Sequence, residues 1–171
     1  PPPILAPTGE DLDIFSGTMN ANWPAYFSNG STPIIVTDDD KGDVVEFSVS
    51  MDATVAGFIS RQGELTDPGG VVTPHNASTS VAAGVISFDM KVITNPSSAK
   101  WTLKVESFFA ETAASLSFSD SVEGAIPTVG DWQTYTFNLS DLAVSGLDVE
   151  AIDAVMIYPG WSSGAGAVYQ I

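Results

Sequence analysis

The chain has 171 residues, enough for one domain with a sizeable core but too few for two ordinary domains. Twenty-one acidic residues face five basic ones, giving a net charge of −16 at pH 7. This charge disfavours nucleic acid and anionic lipid surfaces as binding partners, because both carry charge of the same sign. It also disfavours highly charged anionic polysaccharides, unless calcium bridges them to the protein. No apolar run is long enough to cross a membrane, and the absence of cysteine excludes disulfides and thiolate chemistry.

The first residues are rich in proline, as expected of a stiff linker. Pro1, Pro2, Pro3 and Pro7 precede the first alternating segment, so we expect residues 1–8 to be a linker remnant. Residues 9–171 are expected to form a single domain.

Short runs of alternating apolar and polar residues, separated by turn-forming residues, dominate this domain and indicate β-strands. In chain order the predicted strands are Leu12–Phe15, Ile34–Thr37, Asp43–Ser50, Val55–Ser60, Gly84–Val92, Lys100–Phe109, Ser115–Ser119, Trp132–Leu139, Ala154–Tyr158 and Val168–Ile171. Single helical turns are predicted at Leu139–Val144 and Asp148–Ile152. The run at 154–158 is apolar on both faces, which is typical of a central strand covered on both sides. The pattern predicts an all-β fold, a two-sheet antiparallel β-sandwich of the jelly-roll type.

The C-terminal third resembles galactose-binding-like carbohydrate-binding modules. In those modules a Trp-Gln pair, here Trp132-Gln133, opens a late strand, and a Leu-Ser-Asp-Leu connector, here at 139–142, ends it. Segments 152–159 and 166–171 are similar to their last two strands. The resemblance implies a β-jelly roll without catalysis, often with structural calcium, appended to glycoside hydrolases or polysaccharide lyases of marine bacteria. One similar domain is the C-terminal module of family 3 exo-1,3/1,4-β-glucanases.

A polysaccharide site needs exposed aromatic rings that stack on sugar faces, and polar groups that pair with hydroxyls. Trp161 follows Pro-Gly and precedes a polar, glycine-rich loop, so it is the first candidate. Trp23 and Tyr26 form the second candidate, because Pro24 between them is expected to block regular sheet pairing and leave a loop. The alternative for each tryptophan is packing against its own loop or the end of the sandwich.

Phe58 and Arg61 complete the candidate carbohydrate site. Phe58 lies off the phase of its apolar neighbours, and Arg61 is the only arginine, whose planar fork suits adjacent hydroxyls. A salt bridge is the alternative role for Arg61 in so acidic a chain. Trp101 and Trp132 are expected to be structural.

Carboxylates clustered around a glycine turn supply the hard oxygen ligands that calcium prefers. Asp40 and Asp43 lie in such a turn. In the modules that the chain resembles, a structural calcium joins the first strand to the last, and this resemblance implies Asp11 or Asp13, at the first predicted strand, as a further ligand. These four residues are the candidate ligands of a structural calcium, with a solvated hairpin turn as the alternative role for Asp40 and Asp43.

Enzyme chemistry has little support in the sequence. His75 is the only histidine, no nucleophile elbow is present, and pairs of carboxylates arise by chance in so acidic a chain. The expected function is a secreted, non-catalytic module that targets an attached polysaccharide-degrading enzyme to a neutral polysaccharide, a β-glucan such as laminarin, or agarose. Alternatives are a structural accessory domain that binds no sugar, and an adhesin domain.

Overall fold

A computed structural model describes residues 5–28, 33–60 and 73–171 of the chain. In these residues ten strands form two five-stranded antiparallel sheets, which confirms the predicted β-sandwich. Sheet I has the order β1-β4-β9-β6-β7, and sheet II has the order β2-β3-β10-β5-β8. The strands are β1 (Ala25–Phe27), β2 (Ile34–Asp38), β3 (Gly42–Ser48), β4 (Ala56–Ile59), β5 (Val85–Thr94), β6 (Thr102–Ser107), β7 (Thr112–Ser117), β8 (Trp132–Asn138), β9 (Ile152–Tyr158) and β10 (Val168–Gln170).

Helical structure among the described residues is confined to short connectors. A single α-helix, α1 (Leu139–Val144), follows β8, and a 3₁₀ turn at Val149–Ala151 leads into β9. Both coincide with the predicted helical turns. No helix in the described part of the chain is both long and apolar enough to span a membrane.

The core between the sheets is built from the apolar phase of the alternating strands and is rich in aromatic rings. Phe47 of β3 stacks on Tyr169 of β10 with ring centroids 5.3 Å apart, and Trp101 meets the same tyrosine edge-on at 5.0 Å. The Tyr169 hydroxyl donates a hydrogen bond of 2.5 Å to the Ile157 carbonyl of sheet I. Complete burial raises the pKa of Tyr169, so the hydroxyl remains a donor and links the two sheets.

The N-terminal part of the domain differs from the prediction. Leu12–Phe15 does not form a strand: Phe15 makes only an isolated bridge with Met19, although Leu12, Ile14 and Phe15 pack against the core. β1, in contrast, was not predicted, because Pro24 was expected to prevent pairing. Proline is tolerated there since it precedes an edge strand, and its carbonyl accepts a bond from Ile59 N–H.

A network of charges lies on the outer face of sheet II and holds the β2–β3 turn to β5 and β8. The Asp38 carboxylate accepts hydrogen bonds from Lys91 Nζ (2.6 Å) and Trp132 Nε1 (3.0 Å). Lys41 Nζ pairs with Asp89 at 2.7 Å. Both lysine ammonium groups also lie within 6 Å of the Trp132 ring centroid, at 5.6 and 5.7 Å, so this tryptophan has the structural role expected of it.

Asp38 makes the stability of the fold dependent on acid pH. The bond from Lys91 holds the pKa of the Asp38 carboxyl well below its ordinary value, so folding favours the charged form. The Asp38 carboxylate contributes fully to the free energy of unfolding above its unfolded-state pKa of about 3.9. This contribution is lost as the pH falls through the lower folded-state pKa.

We expect Asp38→Asn to have a lower Tm than the native chain at pH 7, and the difference to shrink progressively below about pH 4. Thermal unfolding between pH 7 and 2 measures this, and a constant difference would contradict it.

Candidate functional site

The outer face of sheet I, on the side away from the core, carries a row of aligned residues that crosses all five strands. In register across the sheet these are Tyr26, Gly57, Met156, Lys104 and Ser115. Gly57 makes the row possible where β4 meets β9, because a Cβ atom there would lie 2.2 Å from the Val155 carbonyl oxygen. The row therefore places Met156, Lys104 and Ser115 side by side on this face.

A shallow groove of about 390 Å³, which we call the outer-face groove, lies on this face of sheet I. Its lining residues come from four strands or their flanks: Val55, Lys104, Glu106, Ser115, Met156, Tyr158 and Trp161. Met156 and Tyr158 form an apolar floor and belong to a second hydrophobic cluster, separate from the main core, against which Tyr26 packs. The groove thus has a firm apolar base.

The polar groups of the groove are a lysine and a glutamate two residues apart on β6. Lys104 Nζ lies 2.8 Å from Glu106 Oε1, and their side chains are 30% and 9% exposed. The pair places ammonium donors and a carboxylate acceptor side by side with no net charge, and Ser115 adds a hydroxyl. Burial raises the pKa of Tyr158, so the phenol beneath them stays neutral at physiological pH. Such a surface suits a ligand with many hydroxyls and no charge.

Trp161 is the exposed aromatic residue of the groove, with 56% of its surface accessible. It follows β9 in a turn fixed by neighbouring backbone: Lys100 N–H donates to the Pro159 carbonyl at 2.8 Å. Gly160 adopts φ +96°, and a Cβ atom on it would lie 3.0 Å from the Lys100 carbonyl oxygen. The indole therefore projects from a turn whose backbone is fixed by these contacts, and it is largely open to solvent.

The other predicted carbohydrate-binding residues are placed differently. Tyr26 is half-buried at the β1 edge of the same sheet face. Trp23 was expected to be exposed but is only 2% accessible, so the expectation is wrong and its indole plugs the core. Phe58 is also buried, because it pairs with Val155 and faces the core. Arg61 lies outside the described residues.

The four aspartates proposed for calcium do not form a ligand set. Asp11, Asp13 and Asp43 line one cavity, whereas Asp40 does not. Asp13 accepts a hydrogen bond from Ser16 Oγ, and Asp43 accepts one from Thr37 Oγ1. Within residues 5–28, 33–60 and 73–171, no group of three or more such side chains is arranged to hold a metal ion. Calcium binding therefore stays a prediction.

Sequence reasoning missed most of the groove. Lys104 and Glu106 lie within the predicted strand Lys100–Phe109. The run at 154–158 was predicted to be a strand covered on both sides, which the burial of all of β9 confirms. The sequence does not tell which outer face of the sandwich forms a groove. Only the register that aligns Lys104 with Met156 identifies the groove residues.

Comparison with known proteins supports the fold. No protein-family model and no curated protein matches the sequence. A crystal structure of a family 30 carbohydrate-binding module superposes with a TM-score of 0.58 at 13% identity, covering 84% of this chain and 72% of that chain. The family 30 module of a cellulosomal cellulase of Clostridium thermocellum gives 0.57 at 15% identity, covering 84% and 80%. At these identities the likeness shows a shared β-sandwich fold, and the galactose-binding-like type remains a prediction.

The two tryptophans are expected to respond oppositely to truncation. Trp23→Ala removes a large side chain from the core and should lower the free energy of unfolding by about 3–5 kcal/mol. Trp161→Ala removes an exposed ring and should change it by about 0.5 kcal/mol or less. Denaturant unfolding of the two variants measures both effects. A large loss of stability in Trp161→Ala would show that this indole packs rather than projects.

Proposed function

We propose that the chain is a secreted, non-catalytic carbohydrate-binding module that holds a neutral polysaccharide in the outer-face groove. The observation that carries the proposal is Trp161, an exposed indole on an ordered turn beside an apolar floor and a neutral Lys104–Glu106 pair. The fold shared with family 30 carbohydrate-binding modules supports it.

Each part of the groove corresponds to a part of a sugar chain. The Trp161 indole offers a flat surface for the apolar C–H face of one ring. The Lys104 ammonium group can donate to hydroxyl oxygens, while the Glu106 carboxylate can accept from hydroxyl hydrogens. The lining runs from Val55, next to β4, to Ser115 on β7, three inter-strand spacings or about 14 Å. That length accommodates a short stretch of a single glycan chain.

A neutral polymer is the preferred ligand because of charge. The chain carries −16, so a polyanion would be repelled at long range, whereas a β-glucan or agarose would not. With one stacking ring and a few hydroxyl contacts, we expect a Kd in the range of about micromolar to millimolar. A module of this affinity acts by raising the local substrate concentration for a catalytic domain to which it is linked.

Removing the Trp161 ring is expected to weaken binding without unfolding the protein. Isothermal titration with laminarin, mixed-linkage glucan and agarose should show at least about a tenfold loss of affinity in Trp161→Ala, which corresponds to about 1.4 kcal/mol. Trp161→Tyr is the matched control and should retain most of the affinity, because it keeps a planar ring. Unchanged binding by Trp161→Ala would refute the proposed site, and absence of binding to every glycan would favour the structural accessory role.

Ionic strength separates a neutral ligand from a charged one. The affinity for the neutral glycan should stay within about twofold between about 0.05 M and 0.5 M NaCl, because no net charge is neutralised on binding. The same titrations with alginate and carrageenan should show no heat at low salt. Binding to alginate alone would contradict the charge argument.

A further inference from the structure

One edge of sheet II is apolar and open, and we call it the β2 edge. β2 is the outermost strand of this sheet, and among the described residues only β3 pairs with it. Its first three residues, Ile34, Ile35 and Val36, are all aliphatic, and the two isoleucines are 53% and 51% exposed. A strand edge with exposed aliphatic side chains is a template on which a further strand can pair.

The register of the sheet shows which backbone groups face the β2 edge. Val45 of β3 directs both its N–H and its carbonyl to Ile171, at 2.9 Å each. Because both groups are used there, they do not bond to Ile35, the residue of β2 in register with Val45. Hydrogen-bonded and non-hydrogen-bonded pairs alternate in an antiparallel ladder, so Ile35 and Thr37 direct their N–H and carbonyl groups away from β3. Two donors and two acceptors are therefore presented at the β2 edge.

The exposed isoleucines lie on opposite faces of the sheet. Residues in register on antiparallel strands share a face, so Ile34 lies with Glu46 on the outer face, and Ile35 lies with the core residue Val45 on the inner face. A strand added at this edge would remove both side chains from water. The complementary strand therefore has aliphatic side chains on both of its own faces.

In the part of the chain that the structure describes, the other sheet edges are covered or less suited to a further strand. Beside β8, the Val122 N–H donates to the Thr136 carbonyl at 2.8 Å, and the Glu123 carboxylate accepts from the Thr136 N–H at 2.7 Å. β1 has only three residues and follows Pro24. β7 consists of small or hydroxyl-bearing residues apart from one leucine. The β2 edge thus combines open backbone groups with exposed aliphatic side chains.

Charge at one end of the β2 edge determines which strand would fit. Asp39 and Asp40 follow β2 directly, and both are exposed. Lys41 in the same turn is paired with Asp89, and no ion pair to Asp39 or Asp40 is found among the described residues. A second copy of the chain would bring a further −16 to this edge, so self-association is disfavoured. A lysine or arginine beside Asp39 and Asp40 would instead be attracted.

We infer that the β2 edge binds an extended peptide segment of a partner protein by strand addition. The segment has aliphatic residues beside Ile34 and Ile35 and basic residues beside Asp39 and Asp40. Antiparallel pairing is the more stable arrangement, so the basic residues lie at the N-terminal end of the segment. The backbone ladder supplies affinity, and the aliphatic and basic side chains supply selectivity. This role is separate from glycan binding, because the outer-face groove is on sheet I.

The blocked peptide Lys-Lys-Thr-Thr-Val-Ile-Val is the probe, and Glu-Glu-Thr-Thr-Val-Ile-Val is its matched control. We expect a Kd of about 0.1 mM for the basic peptide, and binding at least about tenfold weaker for the acidic one. The affinity of the basic peptide should fall between about 0.05 M and 0.5 M NaCl, because salt screens its attraction to the aspartates. The bound peptide should slow hydrogen exchange of the Ile35 and Thr37 amides by at least about tenfold. The Val36 amide, which faces β3, should be unaffected.

Two further arms address the backbone of the edge itself. Ile35→Pro removes a donor that faces away from β3, so the sheet should form, peptide binding should be lost at about 1 mM, and glycan affinity should be unchanged. Ile35→Val keeps the donor and should bind the peptide. Independently of any variant, the basic peptide N-methylated at every second residue should lose binding in one of the two alternating patterns and keep it in the other.

Three outcomes would overturn the inference. The first is no binding of the basic peptide to the native chain up to about 1 mM. The second is equal binding of the basic and acidic peptides, or an equal effect of the two methylation patterns. The third is a concentration-dependent dimer of the native chain in sedimentation that Ile35→Pro abolishes, which would assign the β2 edge to a second copy. None of these outcomes bears on the glycan titrations, which test the groove on sheet I.

Discussion

The central strand of sheet I, β9, is the element on which both the fold and the candidate site depend. All seven of its residues are buried, so neither of its faces tolerates a change of register. Val155 and Ile157 face the core, and Ile157 receives the hydrogen bond that links the two sheets. Met156 and Tyr158 face outward and form the floor of the groove. A shift by one residue would exchange these two sets and remove both the core and the groove.

Three lysines of this acidic chain, Lys41, Lys91 and Lys104, each form an ion pair with an acidic side chain. Lys41 and Lys91 are engaged on the outer face of sheet II, where they hold the β2–β3 turn and enclose Trp132. Lys104 is engaged on the opposite outer face, where it balances Glu106 within the groove. The two outer faces therefore differ. The face of sheet II carries an ionic network that holds the β2–β3 turn in place, whereas the groove on sheet I combines a neutral ion pair with an exposed indole.

Much of the fold could be predicted from the sequence, because alternation is a local property. The phase of Val45 and Phe47, or of Tyr135 and Phe137, already distinguishes core from surface, and the doubly apolar run at 154–158 identifies a central strand. The exposure of Trp161 was also expected, since Pro-Gly before it and a Ser- and Gly-rich loop after it favour an exposed position over packing against its own loop. These conclusions need only neighbouring residues.

The rest was decided by contacts between residues far apart in the sequence. Pro24 was expected to leave Trp23 in an open loop, but an edge strand tolerates proline, and the indole is buried in the core. Phe58 faces the core because β4 pairs with β9 in one particular register. A second register, that of β6 against β9, brings Lys104 beside Met156 and forms the groove. Sequence periodicity determines which residues share a face of a strand, but only the pairing of strands determines which faces meet, because backbone hydrogen bonds are indifferent to the side chains they align.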